Sequence, residues 1–207
     1  MSERIDGRSL RYIHRRGELL EAVGEYVLEH GVATLTMRRA AEAVGVSHAT
    51  LVHHFGNREQ LVAEIVEHLL ERTFSPGDDY PDGFSLDDVE ARLRALWTSL
   101  KSPTGRRDTQ LFTEVLVRSL FEDAGYAHAV AHSIETRLER IAGVIVSLGC
   151  PEQEARFSAT ILLALLRGLS LDLLATGDAE RVDGTFELAL KGIMLRAMLW
   201  SAQSQPN

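Results

Sequence analysis

The side chains able to do chemistry gather mainly in one short stretch. Thr36, Arg38, Ser47, His48, Ala49, Thr50, His53, His54 and Arg58 lie within it, and their types suit contact with a nucleic acid. A serine and the open backbone amides at a helix start hold a phosphate, helped by the positive end of the helix dipole. His48, at a first turn, reaches a base edge or flanking phosphate, and the Ala49 methyl packs on a thymine methyl. Thr50 does either job or only covers its helix. Arg38, Arg39 and Arg58 are phosphate contacts, with surface pairs to nearby glutamates as the ordinary alternative. A second set is dispersed. Trp97, Phe112, Phe121 and Tyr126, with Glu114, Arg118, His128 and Arg167 as polar partners, have the composition of a mainly apolar ligand pocket, and equally of a plain core. His128, His132 and Glu135 share one helical face by spacing, and two imidazoles with a carboxylate are zinc ligands. A metal sensor, or an enzyme with a zinc-activated water, is therefore the competing reading.

Helices must position these groups. Thr36 caps a short helix with Met37, Ala40, Ala41 and Val44 on one face, and Gly45 turns the chain. Ser47 caps a second, in which Leu51 and Phe55 point inward. His48, Ala49, Thr50, His53 and, obliquely, Val52 point outward. Two short helices across a glycine turn, the second presenting small and polar groups over 36–55, fit a major groove; an ordinary helical hairpin is the bland alternative. Before them, 16–30 carries the apolar stripe Leu19, Leu20, Val23, Tyr26 and Val27, and Gly31 ends that helix. After them, a helix runs from Arg58 to about Phe74.

Residues 75–85 form a Pro/Gly/Asp loop that divides the chain into domains 1–74 and 75–207. The loop's acidic spacing hints at calcium, but its closing position holds Val89 where a glutamate is needed. Further helices are expected near 86–100, 108–123, 127–148, 151–176 and 180–201, with breaks at 102–105 and 149–151. The fold class is all-α, a small helix-turn-helix domain followed by a larger helical domain.

The run Leu20-Glu21-Ala22-Val23, Glu29-His30-Gly31-Val32, Thr36-Met37-Arg38-Arg39-Ala40-Ala41-Glu42-Ala43-Val44-Gly45-Val46-Ser47 and Thr50-Leu51-Val52-His53-His54-Phe55-Gly56-Asn57-Arg58-Glu59-Gln60-Leu61 closely resembles the DNA-binding domain of TetR-type repressors. The likeness spans about 15–70. Beyond it, the chain resembles the family in helix layout and in Leu166-Arg167-Gly168-Leu169 and Ala175-Thr176-Gly177-Asp178. The resemblance implies an all-α homodimer that represses nearby genes and leaves DNA when a ligand binds, with no enzymatic activity. Where the family commonly has a tyrosine that meets a phosphate, this chain has Val52; one such neutral bond is worth about 1 kcal/mol. At the Arg58 position the family usually has a lysine touching the DNA backbone.

Composition fits. A chain of 207 residues, 45% hydrophobic, buries one substantial core plus a small satellite domain. Net charge is -8, yet up to Leu61 arginines balance the acids, so the acidic excess lies where phosphate is not met. Arg4, Arg8, Arg11, Arg15 and Arg16 form an N-terminal arm for a minor groove, or a plain tail. A single cysteine, Cys150, and no apolar leader point to the cytoplasm. The most apolar run, 159–175, contains Arg167 and Asp172 and reads as a buried helix, not a membrane span. That run is apolar on more than one face, through Phe157, Ile161, Leu162, Leu165, Leu166, Leu169 and Leu173. The last helix repeats the pattern with Phe186, Leu190, Ile193, Met194, Leu195, Ala197, Met198 and Trp200. The pair, about 151–201, is the expected homodimer bundle, with a thick monomer core as alternative. The expected partners are duplex operator DNA, a small apolar effector and a second copy, with no cofactor and no membrane.

Overall fold

The computed structural model describes residues 7–74, 85–121 and 127–204, and among them the backbone is helical with no strand. Tyr126, Arg4, the linker 75–84 and the side chains of Arg8 and Arg11 fall outside what is described. The chain folds as two compact units, 1–72 with 110–130 and 73–109 with 131–207. The expected division was a single cut after 74; the units interleave instead, because 110–130 clusters with the N-terminal helices.

In the first unit, α1 (Gly7–His30) buries Leu19, Val23 and Val27, spaced i, i+4, i+8, and leaves its glutamates outside. Gly31 ends it at φ 77°, the left-handed region where a side chain is strained, and donates its N–H to the Val27 carbonyl. Thr36 then caps α2 (Met37–Ala43) by accepting the Arg39 N–H. Ala40 and Ala41 are buried as α2 packs on α1 and on α3 (His48–Phe55). Ser47 caps α3 by accepting the Thr50 N–H, and Leu51 and Phe55 point into the core. The helix α4 (Arg58–Phe74) buries Leu61, Val62, Ile65, Val66 and Leu69.

In the second unit, α5 (Leu86–Lys101) opens with a reciprocal capping box between Ser85 and Asp88. A break across 102–105 was expected, with the next helix from 108. Instead α6 (Pro103–Phe121) starts immediately, with Pro103 at the first turn, where a missing N–H costs nothing. Ser102 accepts the Gly105 N–H, and Gly105 is pressed against the end of α5: a Cβ there would lie 2.1 Å from the Ser99 carbonyl oxygen. The glycine marks a close approach of backbones, not a helix end. Then follow α7 (Ala127–Ser147), α8 (Glu152–Thr176) and α9 (Ala179–Ser204). Gly177, at φ 70°, ends α8. The core joins Trp97 and Leu100 of α5, Leu166, Leu169 and Leu173 of α8, and Val182, Phe186, Leu190 and Met194 of α9. Trp97 stacks on Phe186 and donates its indole N–H to Asp183, which Lys101 also holds.

Candidate nucleic-acid interface and internal cavity

The outward face of α3 presents Ser47, His48, Ala49, Val52 and His53, all exposed. Thr50 turns partly back, its hydroxyl 2.8 Å from that of Ser47, so cap and helix start form one polar corner. Thr36 is exposed at the start of α2, and Arg38 lies beside it with its guanidinium on Glu42 at 3.1 Å. His54 departs from this face. It is half-buried, and Arg16 reaches its carbonyl at 3.2 Å, lies over the Phe55 ring and pairs with Glu64 at 2.5 Å. Burial lowers the His54 pKa below the ordinary value, with repulsion from His53, Arg16 and Arg15 adding to it. Arg16 is therefore a clamp on the end of α3, a role that nothing in its sequence neighbourhood announced.

Arg58 is drawn inward too. Its guanidinium donates to the Leu35 carbonyl at 2.8 Å and to the Val32 carbonyl at 3.0 Å, with Glu59 at 3.8 Å. The Val32 carbonyl also accepts the Leu35 N–H at 3.1 Å, and the arginine fork adds a donor to each of the two carbonyls at once. The amides of that turn are held from another side. Glu114 of α6 accepts the N–H of Val32 at 3.0 Å and of Ala33 at 2.9 Å, and Arg118 pairs with Glu114 one turn later.

In the second unit lies a cavity of about 290 Å³ between α5, α7, α8 and α9. Its walls are aliphatic, among them Leu93, Ile141, Val144, Leu162 and Leu166, with Trp200 at one side. Arg92, Arg137, Arg140 and Arg196 also line it.

The residues expected to form a ligand pocket are not brought together there. Trp97 is core, stacked and hydrogen-bonded; Phe112 is buried in the first unit; Glu114 holds the α1–α2 turn, with Arg118 paired to Glu114. Phe121 is 84% exposed, His128 is exposed, and Arg167 of α8 lies off the cavity lining. Aromatic residues drew the sequence reading because they dominate many pockets, but here they fill the core and aliphatic stripes form the cavity. Ile141, Val144, Ile145 and Leu148 carry that signal at i, i+3, i+4, i+7, a pattern identical in an ordinary core helix. The zinc reading also loses its carboxylate: Glu135 is ion-paired with Arg156, and no metal-holding group of three His, Cys, Asp or Glu occurs among the described residues.

Residues 19–65 match the family model described as bacterial regulatory proteins, tetR family. The chain is 35% identical over 68 residues to the HTH-type transcriptional repressor KstR2 of Mycobacterium tuberculosis, a match covering 33% of this chain and 34% of that one. The chain thus spans about a third of the length of the curated relatives it matches. Its fold is similar to a TetR-family transcriptional regulator from Rhodococcus sp., with a TM-score of 0.72 at 21% identity over 87% of this chain and 98% of that one. It is also similar to BioQ in complex with its double-stranded DNA operator, with a TM-score of 0.58 at 19% identity over 87% and 98% of the two chains.

Proposed function

From a chain whose residues 19–65 match the tetR family of bacterial regulatory proteins, we infer a DNA-binding transcriptional repressor and not an enzyme. The observation that carries this reading is α3: capped by Ser47, braced on α2, and exposing His48, Ala49, Val52 and His53 where a groove-reading helix must. Thr36 and Arg38 flank it as backbone contacts, and Ser47 with Thr50 offers a phosphate the polar corner at the helix start. Arg58 and His54 serve in the support beneath. Their fixed bonds hold the turn before α2 and the end of α3 in place, a brace that keeps the reading face in one geometry.

The protein acts as a homodimer through α8 and α9. By length and composition α8 is apolar enough to cross a membrane, yet its outer face with that of α9 better suits a second copy. Phe157, Ile161, Leu188, Leu195, Met198 and Leu199 are exposed on these two helices, and a two-fold pairing buries them. Asp172, ion-paired with Arg181 at the α8–α9 corner, fits water and not lipid. The operator is then a near-palindrome whose half-site centres lie about one helical turn apart or slightly more. A small effector with an apolar body enters the cavity of the second unit and lowers operator affinity, and the protein works in the cytoplasm. A hundredfold loss needs about 2.7 kcal/mol of coupling, and by linkage the operator weakens effector binding by the same factor.

The test is selection from random duplexes with the full chain at moderate salt. A palindromic consensus bound far above random DNA is expected. Equal affinity for selected and random duplexes would remove the reading.

A further inference from the structure

We propose that the cavity of the second unit takes an uncharged aliphatic molecule with one acceptor oxygen, its body among Leu93, Ile141, Val144, Leu162 and Leu166 and its oxygen on the Ser158 hydroxyl. The proposal deepens the effector reading above and rests on it. Charge of either sign is disfavoured there. A cation meets Arg92, Arg137, Arg140 and Arg196 in the lining, with no carboxylate among the described lining residues to offset them. An anion gains little from the same groups, because each is already engaged. Arg196 pairs with Glu154 at 3.1 Å and lies over the Trp200 ring, and Arg137 donates to the Ser133 hydroxyl at 3.2 Å. Arg92 and Arg140 also interact within the protein, and Arg140 is exposed to water. A carboxylate entering the cavity would give up its own hydration beside aliphatic walls for contacts of the surface ion-pair kind, which return little. Ser158 is the one hydroxyl among the described lining residues. It is half-buried on α8, on the face that carries Leu162 and Leu166 into the cavity at i+4 and i+8. Its hydrogen-bond partner is the buried Cys150 thiol, and sulfur is a weak acceptor. A carbonyl or hydroxyl oxygen is a stronger one, so the Ser158 O–H gains by turning from the sulfur to the ligand. The Cys150 S–H keeps the Pro151 carbonyl at 3.5 Å, so the exchange strands no donor. The volume, about 290 Å³, is at the small end for ligand cavities and fits a single medium-length chain.

Calorimetric titration of the full-length chain with octan-2-one, oct-1-ene, octanoate and octylammonium tests the assignment. Octan-2-one should bind about tenfold or more tightly than either ion, and about threefold to tenfold more tightly than oct-1-ene, the margin of one neutral hydrogen bond. Ser158→Ala should lose the margin over oct-1-ene while oct-1-ene itself binds unchanged, which shows that the cavity remains folded. Ser158→Thr keeps the hydroxyl and should keep the preference, so a general loss of packing at this position is told apart from loss of the hydrogen bond. Octanoate or octylammonium binding as tightly as octan-2-one overturns the proposal. So does an octan-2-one affinity that Ser158→Ala leaves unchanged, and so does the absence of binding by all four. Operator release, followed separately by fluorescence anisotropy, keeps the two readings apart. Octan-2-one that binds without releasing DNA removes the effector reading and leaves the cavity assignment standing; release by octanoate alone does the reverse.

Discussion

Glu114 and Arg58 hold Val32 from its two ends: the carboxylate accepts the Val32 N–H at 3.0 Å, and the guanidinium donates to the Val32 carbonyl, also at 3.0 Å. The residues lie far apart in sequence, on α6 and at the start of α4, and meet at a turn that neither belongs to. Through that turn they set where Thr36 begins α2, and through α2 where α3 rests.

Breaking this grip should loosen the first unit measurably. Glu114→Gln removes the charge that two amides share, and Arg58→Met removes two donors, each at about 1–2 kcal/mol in urea denaturation, since such bonds involve one charged partner but remain partly solvated. The double variant should cost less than the sum, because a turn released on one side no longer benefits fully from the other. Strict additivity would mean that the two residues act independently.

Gly105→Ala should be the most damaging small change in the second unit. The new Cβ would lie 2.1 Å from the Ser99 carbonyl oxygen, backbone that cannot rotate aside, so a loss of about 1–3 kcal/mol or more is expected. Gly143→Ala, on α7 with nothing within 4 Å, is the control and should gain about 0.5–1 kcal/mol from helix propensity. Thermal melts of both decide it; equal midpoints would show that α5 and α6 are not in close contact there.

His48→Ala should relax base preference at one position of each half-site and leave the salt dependence of binding alone. Arg38→Ala should weaken all sequences alike and reduce the slope of log K against log salt by about 0.9, the signature of one lost phosphate contact. Matching specificity profiles for the two variants would overturn these roles.

His54 makes the first unit sensitive to mild acid. Burial lowers its folded pKa below the unfolded value, so the unfolded chain binds more protons as pH falls through about 6.5, and stability declines in that direction. His54→Gln should flatten the difference in stability between pH 7 and pH 5 relative to the parent protein. An unchanged difference would show that other groups carry the acid sensitivity.

Leu195→Glu should leave the isolated fold intact, because Leu195 is 61% exposed in the single chain, and should split the dimer in sedimentation experiments. Operator affinity should drop heavily with it, since each half-site binds weakly alone. A dimer that survives this change would move the interface away from α9.

Much of the fold was legible because its signals are local. Caps at Thr36 and Ser47, the turn at Gly45 and the inward pair Leu51 and Phe55 follow from neighbours within a few residues, and the structure reproduces each. The start of α6 was misread because Gly105 obeys a contact with Ser99 across the α5–α6 corner, while in sequence it looks like a helix end. The inward turn of Arg58 was hidden for a related reason: its partners are main-chain carbonyls, which have no sequence signature. The cavity was missed because aliphatic stripes look alike whether they face another side chain or empty space.

The inward commitment of Arg58 also bears on how the protein searches a chromosome. On the proposed reading, a recognition unit whose Arg58 fork is held by its own main-chain carbonyls has one side chain fewer to lay directly on a phosphate, and attraction to random DNA scales with the number of phosphates neutralised. Binding at wrong sites would then be weaker and briefer. On that reading, occupancy of an operator would depend on the fit of His48, Ala49 and their neighbours as well as on charge.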